Sequence, residues 1–272
     1  MNTPNPKRPR LIKVQSWHNL SPNLRRIVFH SPELADYPFE RNGAHIKIFL
    51  PLPGQNEPEL PEMTERGPRW PNKAAAPYKR SYTLSAFDRQ AHTISIDFVL
   101  HGDNGPASAF AENVQSGQTI GLSPPAGKRG LIEAAPACLL VGDLSALPAI
   151  TAMLADMPPD TRGRVLLWLP EAADLPADLP KPVGMAVQLF TDADPEPLAQ
   201  LVRAAADWQA EDADYRVWFA GEAEMVAALR PIARNTWQLP AERCYAVPFW
   251  RRGDSEEAYH QQRHDFMDAP NG

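Results

Sequence analysis

The residues with the clearest chemical potential stand in two short segments. Lys79-Arg80-Ser81-Tyr82-Thr83-Leu84 sets a cation, an aromatic face and hydroxyls on one strand-like run. Ile96-Asp97-Phe98-Val99-Leu100-His101-Gly102-Asp103-Asn104-Gly105-Pro106-Ala107-Ser108 passes from an alternating strand through a glycine turn into a helix start. Glycine lets a backbone approach a phosphate closely. Pro106 in a first helical turn is preorganised and gives up an N–H that has no helical partner there. The N–H groups of Ala107 and Ser108, with the helix dipole, favour an anion. On a strand, Arg80 and Tyr82 point to one face and Thr83 to the other. Such a set makes a cradle for a flat, anionic cofactor, the shape of a flavin dinucleotide. Tyr82 would pack on the ring, Arg80 would pair with the diphosphate, and Thr83 would donate near N5. The same residues also suit an exposed strand with a Tyr–Arg stack and a ligand-free strand–turn–helix junction, with His101 solvated.

A third segment is Gly142-Asp143-Leu144-Ser145-Ala146-Leu147-Pro148-Ala149. A strand that ends in glycine at the head of a βα unit is where open sheets bind nucleotides. The chain holds no G-x-G-x-x-G, so this is not the ordinary dinucleotide fingerprint.

The elements that must position these segments fall into two grammars. The first half reads as β, with strands expected over residues 11–17, 24–30, 44–50, 80–87, 93–100 and 118–123. In residues 93–100, Ile94, Ile96, Phe98 and Leu100 share one face, the period of a half-buried strand. Short, closely spaced strands suggest a small barrel or sandwich. One helix interrupts them, with Ala107, Phe110, Ala111 and Val114 at helical spacing. Residues 51–77 hold seven prolines and clustered acids and read as a long, disordered loop.

From about residue 137 strands and helices alternate. Strands are expected over 138–141, 164–169, 185–190, 215–220 and 244–247. Helices are expected over 146–157, 196–209 and 222–237, the last kinked at Pro231. This alternation implies a parallel sheet covered by helices. Asp254 with Glu257 begins like a capping box, so residues 254–268 read as one more helix. The expected organisation is a β domain, barrel or sandwich, over 10–133, a parallel α/β nucleotide-binding domain over 134–254, and a terminal helix and tail over 255–272.

A chain of 272 residues suits two domains. Its 27 basic and 33 acidic residues, net charge −6, argue against a general nucleic-acid binder. No apolar run is long enough to span a bilayer. Residues 1–10 lack the apolar core of a secretory signal, so cytoplasmic residence is expected. The two cysteines, Cys138 and Cys244, sit in apolar runs outside any C-x-x-C and read as small buried hydrophobes. Two cysteines cannot hold an iron–sulfur cluster that needs about four, and no other metal site is expected.

The three segments, with Val217-Trp218-Phe219-Ala220-Gly221-Glu222-Ala223 continuing to Phe249-Trp250-Arg251-Arg252-Gly253, occur in one order and spacing. In this the chain resembles the siderophore-interacting proteins, flavin-dependent ferric-siderophore reductases of the ferredoxin–NADP reductase superfamily. The resemblance runs from about Arg10 to Gly253 and implies that the β domain is a six-stranded antiparallel FAD-binding β-barrel. It implies an FAD site built from Arg80, Tyr82, Thr83, Leu84, Ser85, Asp97, His101, Gly105, Pro106, Ala107 and Ser108. It implies a nicotinamide-nucleotide region near Gly142, Asp143, Gly221 and Glu222, and a place for Trp250 near the flavin. Lys47, Lys128, Arg129, Arg251 and Arg252 would attract an anionic ferric siderophore; each also suits a solvated surface charge. The chain departs from the family in Ser85, where Arg is frequent, in Leu144-Ser145, where Glu-Thr is frequent, and in Phe249, where Tyr is frequent. The first departure removes a cation from the flavin pocket and the second puts the nucleotide details in doubt.

The implied activity is FAD-dependent reduction of ferric siderophores, iron leaving as Fe(II), by a monomer. The donor stays open among NADH, NADPH and ferredoxin. Acids after residue 169, Glu171 and Asp174, suit the free ribose of NADH better than a 2′-phosphate. A general flavin reductase that serves another protein, and a non-catalytic siderophore-binding module, remain as alternatives.

Overall fold

The computed structural model describes residues 7–64, 67–70, 72–102, 105–126, 131–254 and Tyr259. The chain divides into two compact units, residues 1–129 and 130–272.

The first unit is a closed antiparallel barrel. Its elements are β1 (Arg10–Ser21), β2 (Leu24–His30), β3 (His45–Leu50), the short β4 (Glu62–Thr64) and β5 (Gly67–Arg69), β6 (Tyr78–Asp88), β7 (Thr93–Val99), helix α1 (Pro106–Glu112) and β8 (Thr119–Leu122). The barrel order is β1-β2-β7-β6-β3-β8, and β8 closes back on β1 through Arg10↔Leu122 and Ile12↔Ile120. Alternation sorts the faces. Ile12, Ile27, Ile46, Ile48, Ile94, Ile96 and Ile120 are wholly buried inside, while Lys47 between two of them is half-exposed. Of the alternating residues read from the sequence, Ile94, Ile96 and Phe98 lie in the barrel core, while Leu100 follows the end of β7 and is only partly buried.

Residues 51–77 correct the expectation of a disordered loop. Their described part contains the β4–β5 hairpin and a 3-10 turn at Lys73–Ala75. The hairpin region is anchored: the Trp70 ring meets Phe49 edge-on at 5.8 Å, and Trp70 Nε1 donates to the Glu59 carbonyl at 3.1 Å. Leu60 and Phe49 close over Gly121 so tightly that a Cβ there would lie 2.6 and 2.8 Å from them. Proline-rich composition hid this, because apolar contact to Phe49 rather than local propensity orders the segment.

A charged clasp joins β1 to the segment after β2. The wholly buried Arg10 donates to Glu33 O at 2.9 Å, Asp36 O at 3.1 Å and Asp36 Oδ1 at 2.8 Å. Its guanidinium also lies 5.1 Å from the Tyr37 ring centroid. Arg10, with Arg8 beside it, holds the Asp36 carboxyl below the usual carboxylate range. A depressed carboxylate contributes stability above the unfolded pKa, about 3.9, and loses it as pH falls through the lower folded value. Asp36→Asn is therefore expected to lower the unfolding midpoint at neutral pH and to converge with the wild type in strong acid. Unfolding curves that stay parallel down to about pH 2 would remove Asp36 from this role.

The second unit is a five-stranded sheet in the order β11-β10-β9-β12-β13. It comprises β9 (Ala137–Asp143), α2 (Leu147–Asp156), β10 (Arg162–Leu169), β11 (Met185–Thr191), α3 (Pro197–Ala206), β12 (Tyr215–Glu222), α4 (Ala223–Pro231) and β13 (Cys244–Trp250). Every pairing is parallel. Strand β9 is buried along its whole length, as a central parallel strand covered on both faces must be. The helix expected over 222–237 is α4 followed by a π-turn at Ile232–Thr236. Pro231 cannot donate in the regular ladder, so the α-helix ends there instead of bending through. Cys138 is buried as expected and its thiol is pushed up to about 12 by burial. Cys244 is only partly buried, and burial raises its thiol to about 11. Among the described residues no helix is long and apolar enough to cross a membrane. The terminal helix falls on residues 255–272, of which only Tyr259 is described; it is helical and 5% exposed.

Candidate functional site

In the first unit the candidate residues gather around β6, β7 and α1. Pairing of β6 with β3 fixes their faces: Tyr82 lies opposite Ile46 and Arg80 opposite Ile48, whereas Thr83 lies opposite His45 and Ser81 opposite Lys47. Arg80 and Tyr82 thus share one face of the strand, and Lys47, Ser81 and Thr83 share the other. Tyr82 is held by an aromatic cluster. Its ring centroid is 4.5 Å from that of Phe98, which is 5.9 Å from Phe110 of α1. Phe110 in turn stacks on Phe29 at 6.5 Å. Arg80 is half-buried, donates to the Lys79 carbonyl at 2.9 Å and lies 5.9 Å from the Tyr78 ring.

Beyond Thr83 the strand bulges. Leu84 pairs with Ile96 and Ala86 with Ser95, which leaves Ser85 as the extra residue. Leu84 is wholly buried in the core. The Ser85 hydroxyl is buried and, among the described residues, has no hydrogen-bond partner. A buried hydroxyl in that state is a position waiting for a polar edge.

After β7 the chain turns into α1. Gly105 caps the helix in an extended conformation and Pro106 follows in the first turn. Among the described residues, a Cβ built on Gly105 meets no atom within 4 Å, so none of them fills the space beside it at the helix head. The Ser108 hydroxyl, 3% exposed, accepts from the His101 N–H at 3.2 Å and closes the turn. Ala107 is buried beneath it and the His101 side chain is exposed. Asp97 does not stand free: the guanidinium of Arg26 grips it side-on at 2.7 and 2.8 Å. That pair raises the Arg26 pKa and fixes β2 against β7. A buried unpaired hydroxyl on a bulge, a held aromatic ring and an open glycine-capped helix head fit a flavin with its phosphates. Lys128 and Arg129 lie outside the described residues.

The second unit gathers its candidates at the carboxyl ends of β9, β12 and β13. Asp143 is the hub. Its Oδ1 accepts from Ser145 N at 2.9 Å, Ser145 Oγ at 2.6 Å and Ala146 N at 3.2 Å. Its Oδ2 accepts from Glu222 N at 2.8 Å and Trp250 Nε1 at 2.7 Å. Burial pushes the Asp143 carboxyl upward, and these donors pull it the other way. The close approach depends on Gly221, whose φ is +131° and whose Cβ, if present, would sit 2.6–2.7 Å from the carboxylate. Glu222 turns its own carboxylate onto the N–H groups of Glu224 and Met225, capping α4, and also accepts from Arg252 N at 3.3 Å. Gly142 is packed under Ala146 and Ile150. Trp250, 39% exposed, stands at a shift of register in which Glu222 pairs with it and Phe249 is passed over. Arg251 and Arg252 follow and are exposed. After β10, Glu171 and Asp174 cap each other's backbone, and Asp174 is wholly buried. Sequence reasoning missed Arg26 and gave Phe98, Phe110 and Ser145 no contact within the site; only strand register and turn geometry reveal these contacts.

Residues 13–129 match the family model described as the siderophore-interacting FAD-binding domain, and residues 135–253 match that of siderophore-interacting protein. Ferric vibriobactin reductase ViuB of Vibrio cholerae is 36% identical over 266 residues, 96% of each chain. The crystal structure of the siderophore-interacting protein SipS from Aeromonas hydrophila is similar at a TM-score of 0.85 and 42% identity, covering 97% of this chain and 100% of that one. A ferredoxin NADP+ reductase from Neisseria gonorrhoeae, 15% identical at a TM-score of 0.60, covers 89% of this chain and 99% of its own and shares the fold.

Proposed function

The chain belongs to the siderophore-interacting protein family, and from that premise we propose that it reduces ferric siderophores with FAD on the barrel and a reduced nicotinamide nucleotide as donor. The observation that carries this reading is the pairing of the orphaned Ser85 hydroxyl with the open space before Gly105, within the segment matched to an FAD-binding domain. FAD, when bound, supplies the exchange between a two-electron donor and a one-electron acceptor.

The chain's own residues bind and orient. Tyr82, held against Phe98, offers its aromatic ring to a flat ligand. Ser85 and Thr83 offer hydroxyls to the ring's polar edge. Arg80 supplies positive charge for a diphosphate, and Gly105 with Pro106 lets phosphate come close to the head of α1. Lys47, half-exposed on β3, draws an anionic ferric siderophore; Arg251 and Arg252 are offered for the same task. Hard oxygen ligands hold Fe(III) far better than Fe(II), so gain of one electron loosens the iron. No side-chain acid or base is required. The barrel region 10–133 would carry FAD and residues 134–254 the donor, in a cytoplasmic monomer.

The test is an absorbance spectrum of the purified protein, followed anaerobically by NADH and then by a ferric siderophore with an Fe(II) chelator. A flavin band that bleaches with donor and returns as Fe(II) appears supports the proposal. A flavin that bleaches but ignores ferric siderophores would point instead to a general flavin reductase, and a colourless protein to a binding module. Lys47→Ala is expected to weaken ferric-siderophore binding a few-fold at unchanged FAD content; equal loss of both would remove Lys47 from the substrate role.

A further inference from the structure

Open parallel sheets receive dinucleotides where the strand order reverses, with the diphosphate on helix N-termini. Here the reversal lies between β9 and β12. The amides a diphosphate needs at that point are already taken by the chain's own carboxylates. Asp143 accepts from the Ser145 and Ala146 amides that lead into α2. Glu222 accepts from the Glu224 and Met225 amides at the head of α4. Both carboxylates are 7% exposed, so water screens them weakly. A ribose fares no better after β10, where Glu171 and Asp174 are engaged in capping each other's backbone. The helix heads that elsewhere attract an anion therefore present charge of the ligand's own sign. What the edge does offer is Trp250, exposed over 39% of its surface with its indole N–H fixed on Asp143.

We propose that Asp143 and Glu222 are specificity-determining residues that refuse a diphosphate, so that the donor is engaged through its dihydronicotinamide end and not through its adenine dinucleotide half. This rests on the reading of the second unit as the donor's site. Trp250, locked edge-on by Asp143, is the flat surface such a ring would meet. The adenosine half, with or without a 2′-phosphate, then adds nothing, and NADH and NADPH are treated alike.

The test uses the flavin-loaded protein in two measurements. Anaerobic flavin reduction is compared for NADH, NADPH and reduced nicotinamide mononucleotide, and ADP-ribose binding is titrated calorimetrically without any turnover. The three donors are expected to show KM values within about threefold of one another, and ADP-ribose no heat of binding at millimolar concentration. A mononucleotide poorer than NADH by about tenfold or more, or ADP-ribose that binds and competes with NADH, overturns the proposal; loss of that binding in Arg251→Ala or Arg252→Ala would name the cations responsible. Glu222→Gln keeps an oxygen for the α4 amides and removes the charge. It is expected to give a measurable heat of ADP-ribose binding at millimolar concentration, where the wild type gives none. An unchanged ADP-ribose affinity removes Glu222 from this role. If dithionite reduces the flavin and none of the three donors does, the donor-site reading itself fails and the proposal falls with it, a pattern distinct from competition by ADP-ribose.

Discussion

Replacing Gly105 by aspartate is expected to give a folded protein that no longer retains flavin. The position has an extended φ of −163°, which any residue adopts, and a Cβ there meets none of the described residues within 4 Å. The fold therefore has little reason to object. The new carboxylate would project into the space proposed here for the diphosphate. Two like charges about 5 Å apart at an effective dielectric near 20 repel by about 3 kcal/mol, which is roughly a hundredfold in affinity. Gly105→Ala, small and neutral, is expected to lose far less. The check is the flavin-to-protein absorbance ratio after dialysis, read beside the thermal midpoint. A yellow Gly105→Asp protein would show that phosphate does not come to this helix head. A colourless protein with a collapsed midpoint would show that the glycine serves the fold.

Asp143→Ala should produce the largest loss of stability of any single change in the second unit. Truncation leaves the buried N–H of Glu222 and the indole N–H of Trp250 without their acceptor, and frees the Ser145–Ala146 turn that enters α2. Removing one member of a buried charged network costs about 3–5 kcal/mol. For a unit of this size that is a fall of roughly 10 °C in thermal midpoint. Asp143→Asn separates the two halves of the hub. Its oxygen can still take the turn amides, but its amide nitrogen faces the Glu222 and Trp250 donors, so an intermediate loss is expected. The indole N–H resonance of Trp250, identified by its absence in Trp250→Phe, reports the contact directly. In the wild type it should exchange slowly with solvent; in Asp143→Asn it should exchange fast. A midpoint within about 1 °C of wild type in Asp143→Ala would mean that the five contacts contribute little, as some buried ionic groups do.

By itself the sequence determined both fold grammars. Period-two alternation in Ile94, Ile96 and Phe98 marked a barrel strand because one face must be apolar wherever a sheet borders a core. The unbroken apolar run before Gly142 marked a central parallel strand for the complementary reason. The proposed cradle rests on the same local relations: Arg80 and Tyr82 two residues apart, and Gly105-Pro106 at a helix head, are relations along the chain. What only the tertiary structure decided are relations across it. Asp97 meets Arg26 at a separation of 71 residues, and Trp250 meets Asp143 at 107. No periodicity encodes such pairs, because they depend on which strands become neighbours and in what register. The bulge that isolates Ser85 is likewise a mismatch between two strands and a property of neither. The order of the described part of residues 51–77 came from Trp70 and Leu60 closing on Phe49 and Gly121, against its proline-rich composition. A carboxylate's type is written in the sequence; whether it faces a ligand or its own backbone is settled by the donors that folding brings within 3 Å of it.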